Sequence, residues 1–181
     1  QGTGTFILVN SGADTTLLGL TNNTSYDVYV RGICAVGDSS AWVGPNSFTT
    51  LCGVETPYYF QPFDAFLPDA CWSEADAGSI AAGPSSIGTS PWTGGTALSS
   101  NTARINIYGT GRRDWLLSPQ FDLSLGGYEV LTDVAVTNWN NAVADQMGAD
   151  DTVFLAYTED GVLWNVLDTW TVEDTIPNVL T

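Results

Sequence analysis

Lysine and histidine are absent from this 181-residue chain, and four arginines face twenty acidic residues, for a formal net charge of −16. Without Lys/Arg clusters a nucleic-acid backbone finds no counter-charge, and an anionic membrane surface is excluded for the same reason. Without histidine the Ser-His-Asp and Cys-His arrangements cannot be built. Three cysteines with no CxxC spacing cannot supply a zinc site. No P-loop or dinucleotide fingerprint occurs; the GTG triplets at 2–4 and 109–111 are short glycine turns. No apolar run approaches the ~20 residues of a membrane helix. The opening QGTGTFILVNSG lacks the basic start and cleavage site of a signal peptide. Good helix formers are scarce, whereas Gly, Thr, Ser, Asn and Asp are abundant, which is an all-β, turn-rich composition. A carboxylate pair is all a glycosidase needs, but no pair stands out among so many acids, so the chain reads as non-enzymatic.

Strand signals begin early. Thr5–Val9 is one apolar run and Thr15–Leu20 another, followed by the turn signal Thr21-Asn22-Asn23-Thr24. Residues 25–33 then alternate, with Tyr26, Val28 and Val30 on one face and Asp27, Tyr29 and Arg31 on the other. Residues 36–40 read as a loop and 46–50 as the returning strand. After Cys52 the texture changes: residues 73–102 are rich in Gly, Ser, Ala and Thr and read as long loops with one short strand at most. Strand signals return at 103–108, 114–117, 128–136, 152–157 and 164–167, with Thr158-Glu159-Asp160-Gly161 as the turn joining the last two.

The run LTNNTSYDVYVRGICAVGDSSAWVGPNSFTT resembles the end of a fibronectin type III domain, its Leu20-to-Tyr26 spacing matching that fold's tyrosine corner. From Cys52 to Trp170 the order FD, CW, DWLLSP, FDL, DDTVFLAYTEDG and W is similar to the MAM-like jelly-roll domains of large bacterial proteins exported by the type IX route. The fold implied is all-β: a partial fibronectin type III sandwich over 1–51, then a jelly-roll β-sandwich over 52–181. The resemblance also implies that the chain begins inside the first domain and stops before the last strands of the second.

Cysteine pairing follows from strand geometry. Cys34 and Cys52 end successive antiparallel strands and so lie at opposite poles, roughly 20 Å apart at ~3.3 Å per residue, whereas a disulfide spans only about 7 Å between Cα atoms. Cys34–Cys52 is therefore disfavoured; Cys52 and Cys71 bracket an 18-residue segment at the start of the second domain and are expected to pair. Cys34 would pair with a cysteine of the absent fibronectin strands or stay free; the alternative is three buried thiols.

Calcium is the metal that suits so many hard oxygen ligands. Asp145, Asp150 and Asp151 form the densest acidic stretch, and two adjacent Asp on one extended strand would face opposite sides. The jelly-roll resemblance adds Asp64, whose other role would be a turn cap or a partner for Arg113. Trp72, Trp115, Trp164 and Trp170 sit at apolar strand positions and read as core. Trp92 and Trp139 lie in polar surroundings, either as sugar-stacking platforms or as loop anchors folded onto the sheet. In GRRDWLLSP, Arg112 and Arg113 stand at the mouth of a strand; pairing with nearby Asp is the simpler role, and an anion clamp for a sulfated or uronic glycan the alternative. Together these features point to a non-catalytic, calcium-stiffened pair of extracellular or cell-surface modules. Their partners would be glycans, cell-surface or extracellular proteins and neighbouring domains of the same polypeptide, with no nucleic acid and no membrane insertion. A structural spacer and an accessory domain of a secreted hydrolase are the competing classes.

Overall fold

The alternation that begins at residue 25 is the first stretch of the chain to find a partner strand. In a computed structural model, which describes residues 4–9, 14–64, 66–67, 71–88, 90–139, 141 and 143–174, Ser25–Val30 forms β1. Strands β2 (Ile33–Ala35) and β3 (Asp38–Ser39) make a small hairpin around Gly37, whose φ of 80° suits the tight turn. The expected loop at 36–40 thus contains a short strand. Strand β4 (Val43–Thr49) returns antiparallel to β1, in register from Ser25↔Thr49 to Val28↔Asn46 before slipping beyond Val28. Tyr26 stacks on its cross-strand partner Phe48 at 5.9 Å, and the Tyr26 hydroxyl accepts a 2.8 Å hydrogen bond from the Thr21 amide. That bond fixes the chain as it enters β1. The two apolar runs upstream were expected as strands; neither is one among the described residues, and Phe6 instead packs against Trp42 at 6.2 Å.

This hairpin belongs to the first of two units, Gln1–Gly53; the second is Val54–Thr181. In the second unit β5 (Ser73–Asp76) is central to a three-stranded antiparallel sheet, between β6 (Ser86–Ile87) and β9 (Asp114–Leu117). Strands β7 (Thr93–Ala97) and β8 (Ser100–Arg104) form a hairpin, as do β10 (Val153–Thr158) and β11 (Trp164–Trp170). No helix occurs among the described residues, and every paired strand is antiparallel. The protein is all-β.

Three expectations are corrected. The Gly/Ser/Thr-rich stretch 73–102 holds four strand segments rather than loops, because ladder hydrogen bonds need no apolar side chains. The strand expected at 103–108 ends at Arg104. The strand expected at 128–136 finds no ladder partner among the described residues, so its apolar alternation does not become a strand.

Packing is thin. Ala75, Gly83, Pro119 and Met147 are the buried residues among those described, while Trp72, Trp115, Trp164 and Trp170, expected as core, are half-buried. Trp115 meets Trp164 edge-on at 5.3 Å, and Gly83, at a φ of 75°, lies where a Cβ would collide with the Trp164 indole. A second cluster joins Tyr59, Phe63, Trp72 and Phe121, pinned by a 2.7 Å bond from the Trp72 indole N–H to the Tyr59 hydroxyl. The accessible surface is 13,329 Å², whereas the two units, taken as separate compact bodies, would expose about 10,000 Å². Large apolar side chains are exposed in strands and in connecting segments alike: Val30, Val43, Phe154, Tyr157 and Val166 in the first, Leu51, Tyr58, Phe60 and Leu125 in the second.

Cys52 and Cys71 are joined in a disulfide, as expected, and Cys34 is a free, exposed thiol. Disulfides persist in oxidising compartments, so the pairing is compatible with an extracellular protein. No helix among the described residues is long and apolar enough to cross a membrane.

Candidate functional site: an arginine-lined cavity beside strand β9

The Arg112-Arg113 pair is placed by a glycine turn followed by a ladder. Gly109 and Gly111 adopt φ values of 78° and 76°, turning the chain so that Asp114 enters β9. The β5–β9 register sets Asp76 opposite Asp114 and Ala75 opposite Trp115. Opposed residues share a face, so Asp76 and Asp114 lie on the side away from Ala75 and Trp115. Two directly opposed carboxylates repel. Arg112 relieves this on one side: its guanidinium is 3.2 Å from the Asp114 carboxylate and 5.2 Å from the Tyr108 ring. The Ser90 hydroxyl donates to the other Asp114 oxygen at 3.4 Å. The Arg113 carbonyl accepts the Ala77 amide at 2.8 Å, and the Ala77 carbonyl accepts the Trp115 indole N–H at 2.9 Å. Asp76, Ala77, Ser90, Arg112, Arg113 and Asp114 line a cavity of about 380 Å³, together with Pro91 and Gly111.

The strand-mouth role expected of the arginine pair therefore holds for Arg112. Arg113 lines the same cavity, and its guanidinium makes no hydrogen bond or ion pair among the described residues. Asp76, Ser90 and Asp114 complete the polar wall. Asp114 was visible in the sequence as the neighbour of the arginines; Asp76 and Ser90 carry no local signal, because only the β5–β9 pairing brings 76 to 114.

No family model, curated protein or solved structure matches the chain.

Trp139 and Trp92 part company. Trp139 is 46% exposed, with the Arg104 guanidinium 5.2 Å from its ring. Trp92 is half-buried, and its indole nitrogen is buried without a hydrogen-bond partner. The first is exposed and the second is largely covered.

The acids expected at a calcium site do not assemble. Asp64 accepts a 2.9 Å bond from the Asn101 side chain, so its partner is neither a turn amide nor Arg113. Asp145 caps the Gln146 amide at 2.9 Å and lines a separate cavity of about 220 Å³ together with Glu173 and Asp174. Asp150 and Asp151 stand in a turn rather than on an extended strand. Their carboxylates therefore face the same way: both point toward Gly148, and a Cβ there would meet them at 3.1 and 2.8 Å. Among the described residues no three acidic, cysteine or histidine side chains stand close enough to share a metal ion.

Two carboxylates titrate below the usual range. Ser124 holds Asp122 down through its hydroxyl and its amide, and the Leu163 and Val162 amides hold Asp160 down. Both are turn caps.

Proposed function

We propose that the chain is a non-catalytic extracellular adhesion module that binds carbohydrate, built as a fibronectin type III-like end followed by a MAM-like jelly roll of a larger surface protein. Trp139 carries this reading. A half-exposed indole, held on a loop by a stacked guanidinium, offers an apolar plate of the kind on which sugar C–H faces rest. The many exposed large apolar side chains support an adhesive role, because apolar surface left by folding is available for association. The disulfide supports an extracellular setting. Calcium would enter as a stabiliser at the Asp150–Asp151 turn, where Asp151 accepts the Gly148 amide at 3.1 Å and the Asp150 carboxylate lies beside the same glycine, solvent supplying the remaining ligands.

The test is binding of the full chain to a panel of neutral, uronic and sulfated glycans, in calcium and in chelator. Binding that Trp139→Ala weakens roughly tenfold, the scale of one stacked contact, is the expected result. A blank panel in both buffers would leave the spacer class as the better account. Binding unchanged by chelator would remove calcium from the proposal and keep the rest.

A further inference from the structure

The chain has four arginines, and three have partners. Arg31 lies over Trp42 at 4.7 Å, Arg104 over Trp139 at 5.2 Å, and Arg112 is shared between Asp114 and Tyr108. Arg113 is uncommitted among the described residues, in a protein with twenty carboxylates to choose from, and it lines the 380 Å³ cavity. On the same wall the Asp76 carboxylate also makes no hydrogen bond or ion pair among the described residues.

We propose that this cavity is a subsite for a uronic-acid residue, Arg113 taking the sugar carboxylate and Asp76, with Ser90, taking ring hydroxyls; the proposal rests on the carbohydrate-binding reading above and specifies its substrate class. The charges decide among anions. A guanidinium makes paired hydrogen bonds to a carboxylate, sulfate or phosphate alike. Sulfate and phosphate groups bring acceptors and charge, which two wall carboxylates would repel. A uronic acid brings one carboxylate together with several hydroxyl donors, and hydroxyl donors are what Asp76 and Ser90 can accept. Ala77 and Pro91 are among the lining residues and would serve as an apolar floor for the ring's C–H face. The chain's −16 charge also disfavours polyanions, whereas one carboxylate at a site is screened over about 8 Å at physiological salt. An amino-acid zwitterion would satisfy Arg113 and Asp76 but would leave Ser90 and the apolar floor uncovered.

The Trp115 indole N–H is bonded to the carbonyl of Ala77, a lining residue, and so reports on the cavity from behind it. The full chain, with ¹⁵N-labelled tryptophan, would be titrated with the methyl glycosides of glucuronic acid and of glucose, and with sulfate and glycine. The expected result is a saturable shift of the Trp115 resonance by the glucuronide, with a Kd on the order of millimolar. Methyl glucoside, sulfate and glycine should bind roughly tenfold more weakly or not at all, and Arg113→Gln should cost the glucuronide about tenfold, the scale of one charge-assisted hydrogen bond. Arg113→Lys, which keeps the charge and loses the fork, should fall between. Unmoved resonances of the other six tryptophans confirm that each variant is folded. Equal binding of the glucoside, sulfate or glycine overturns the proposal, as does full affinity in Arg113→Gln. If glucuronide moves nothing while the panel shows neutral glycans bound, this inference fails alone. If the panel is blank as well, the carbohydrate reading fails with it.

Discussion

Asp160 shows how a single side chain closes a turn in this protein. One carboxylate oxygen accepts the amides of Val162 and Leu163 at 2.8 and 2.9 Å, at the tip of the β10–β11 hairpin. Those amides favour the charged form, so the folded pKa lies below the unfolded one. The sign follows by linkage: the stabilisation is complete above the unfolded value and is lost as pH falls through the lowered folded value. Asp160→Ala should therefore weaken hydrogen-exchange protection of β10 and β11 at neutral pH, and the gap to the parent should close in strong acid. Carboxyl ¹³C titration should also find Asp160 and Asp122 below the ordinary aspartate value. An Asp160 that titrates with the bulk, or a gap that widens in acid, would contradict the capping role. Arg113 belongs at this scale too: the sequence singled it out as one of a pair in a nearly cation-free chain, but only the structure separates its uncommitted guanidinium from the paired one of Arg112.

Hairpins are the working elements, and their legibility varied for physical reasons. Strands β1, β9, β10 and β11 announced themselves through β-branched and aromatic alternation. The β7–β8 hairpin was hidden twice over. Its strands, TGGTA and SNTAR, carry almost no apolar side chains, and its two-residue turn is Leu98-Ser99, with φ values of 52° and 67°. Turns of that geometry ordinarily use Asn-Gly or Asp-Gly, so the usual flag is missing. The 128–136 stretch failed in the other direction: alternation says that a segment can form a strand, while pairing decides whether it does. Asp76 was illegible because register joins residues 38 positions apart, and no local pattern encodes that. The turn yields a prediction. Ser99→Gly should stabilise the second unit by about 0.5–1 kcal/mol by removing left-handed strain, while Ser99→Val should cost about 1–2 kcal/mol. Urea midpoints measure both, and a destabilising glycine would mean that the turn is not strained.

For the molecule as a whole, the covalent crosslink and the uncovered surface matter most. The Cys52–Cys71 bridge closes over the 18 residues between its ends, and a loop of that size is worth about 3 kcal/mol through the unfolded chain's entropy. Reduction should lower the unfolding free energy by that order. Without reduction, a thiol reagent should modify one cysteine per native chain, Cys34; a second modified thiol would break the assignment. The all-β class was readable from composition because it depends on averages. The thinness of the core was not, since burial depends on which faces meet.

That thin core has a calorimetric consequence. An unfolded chain of this mass exposes about 28,000 Å², so folding to 13,329 Å² hides only about half of it, against the roughly two-thirds that two compact units of these sizes would hide. Heat-capacity change scales with the surface uncovered, so unfolding should fall below the common ~12–15 cal/mol/K per residue and give a flattened stability curve. The deficit would reappear elsewhere. A partner that covers the exposed sheet faces would bind with a large negative heat capacity, completing in association the burial that folding leaves undone.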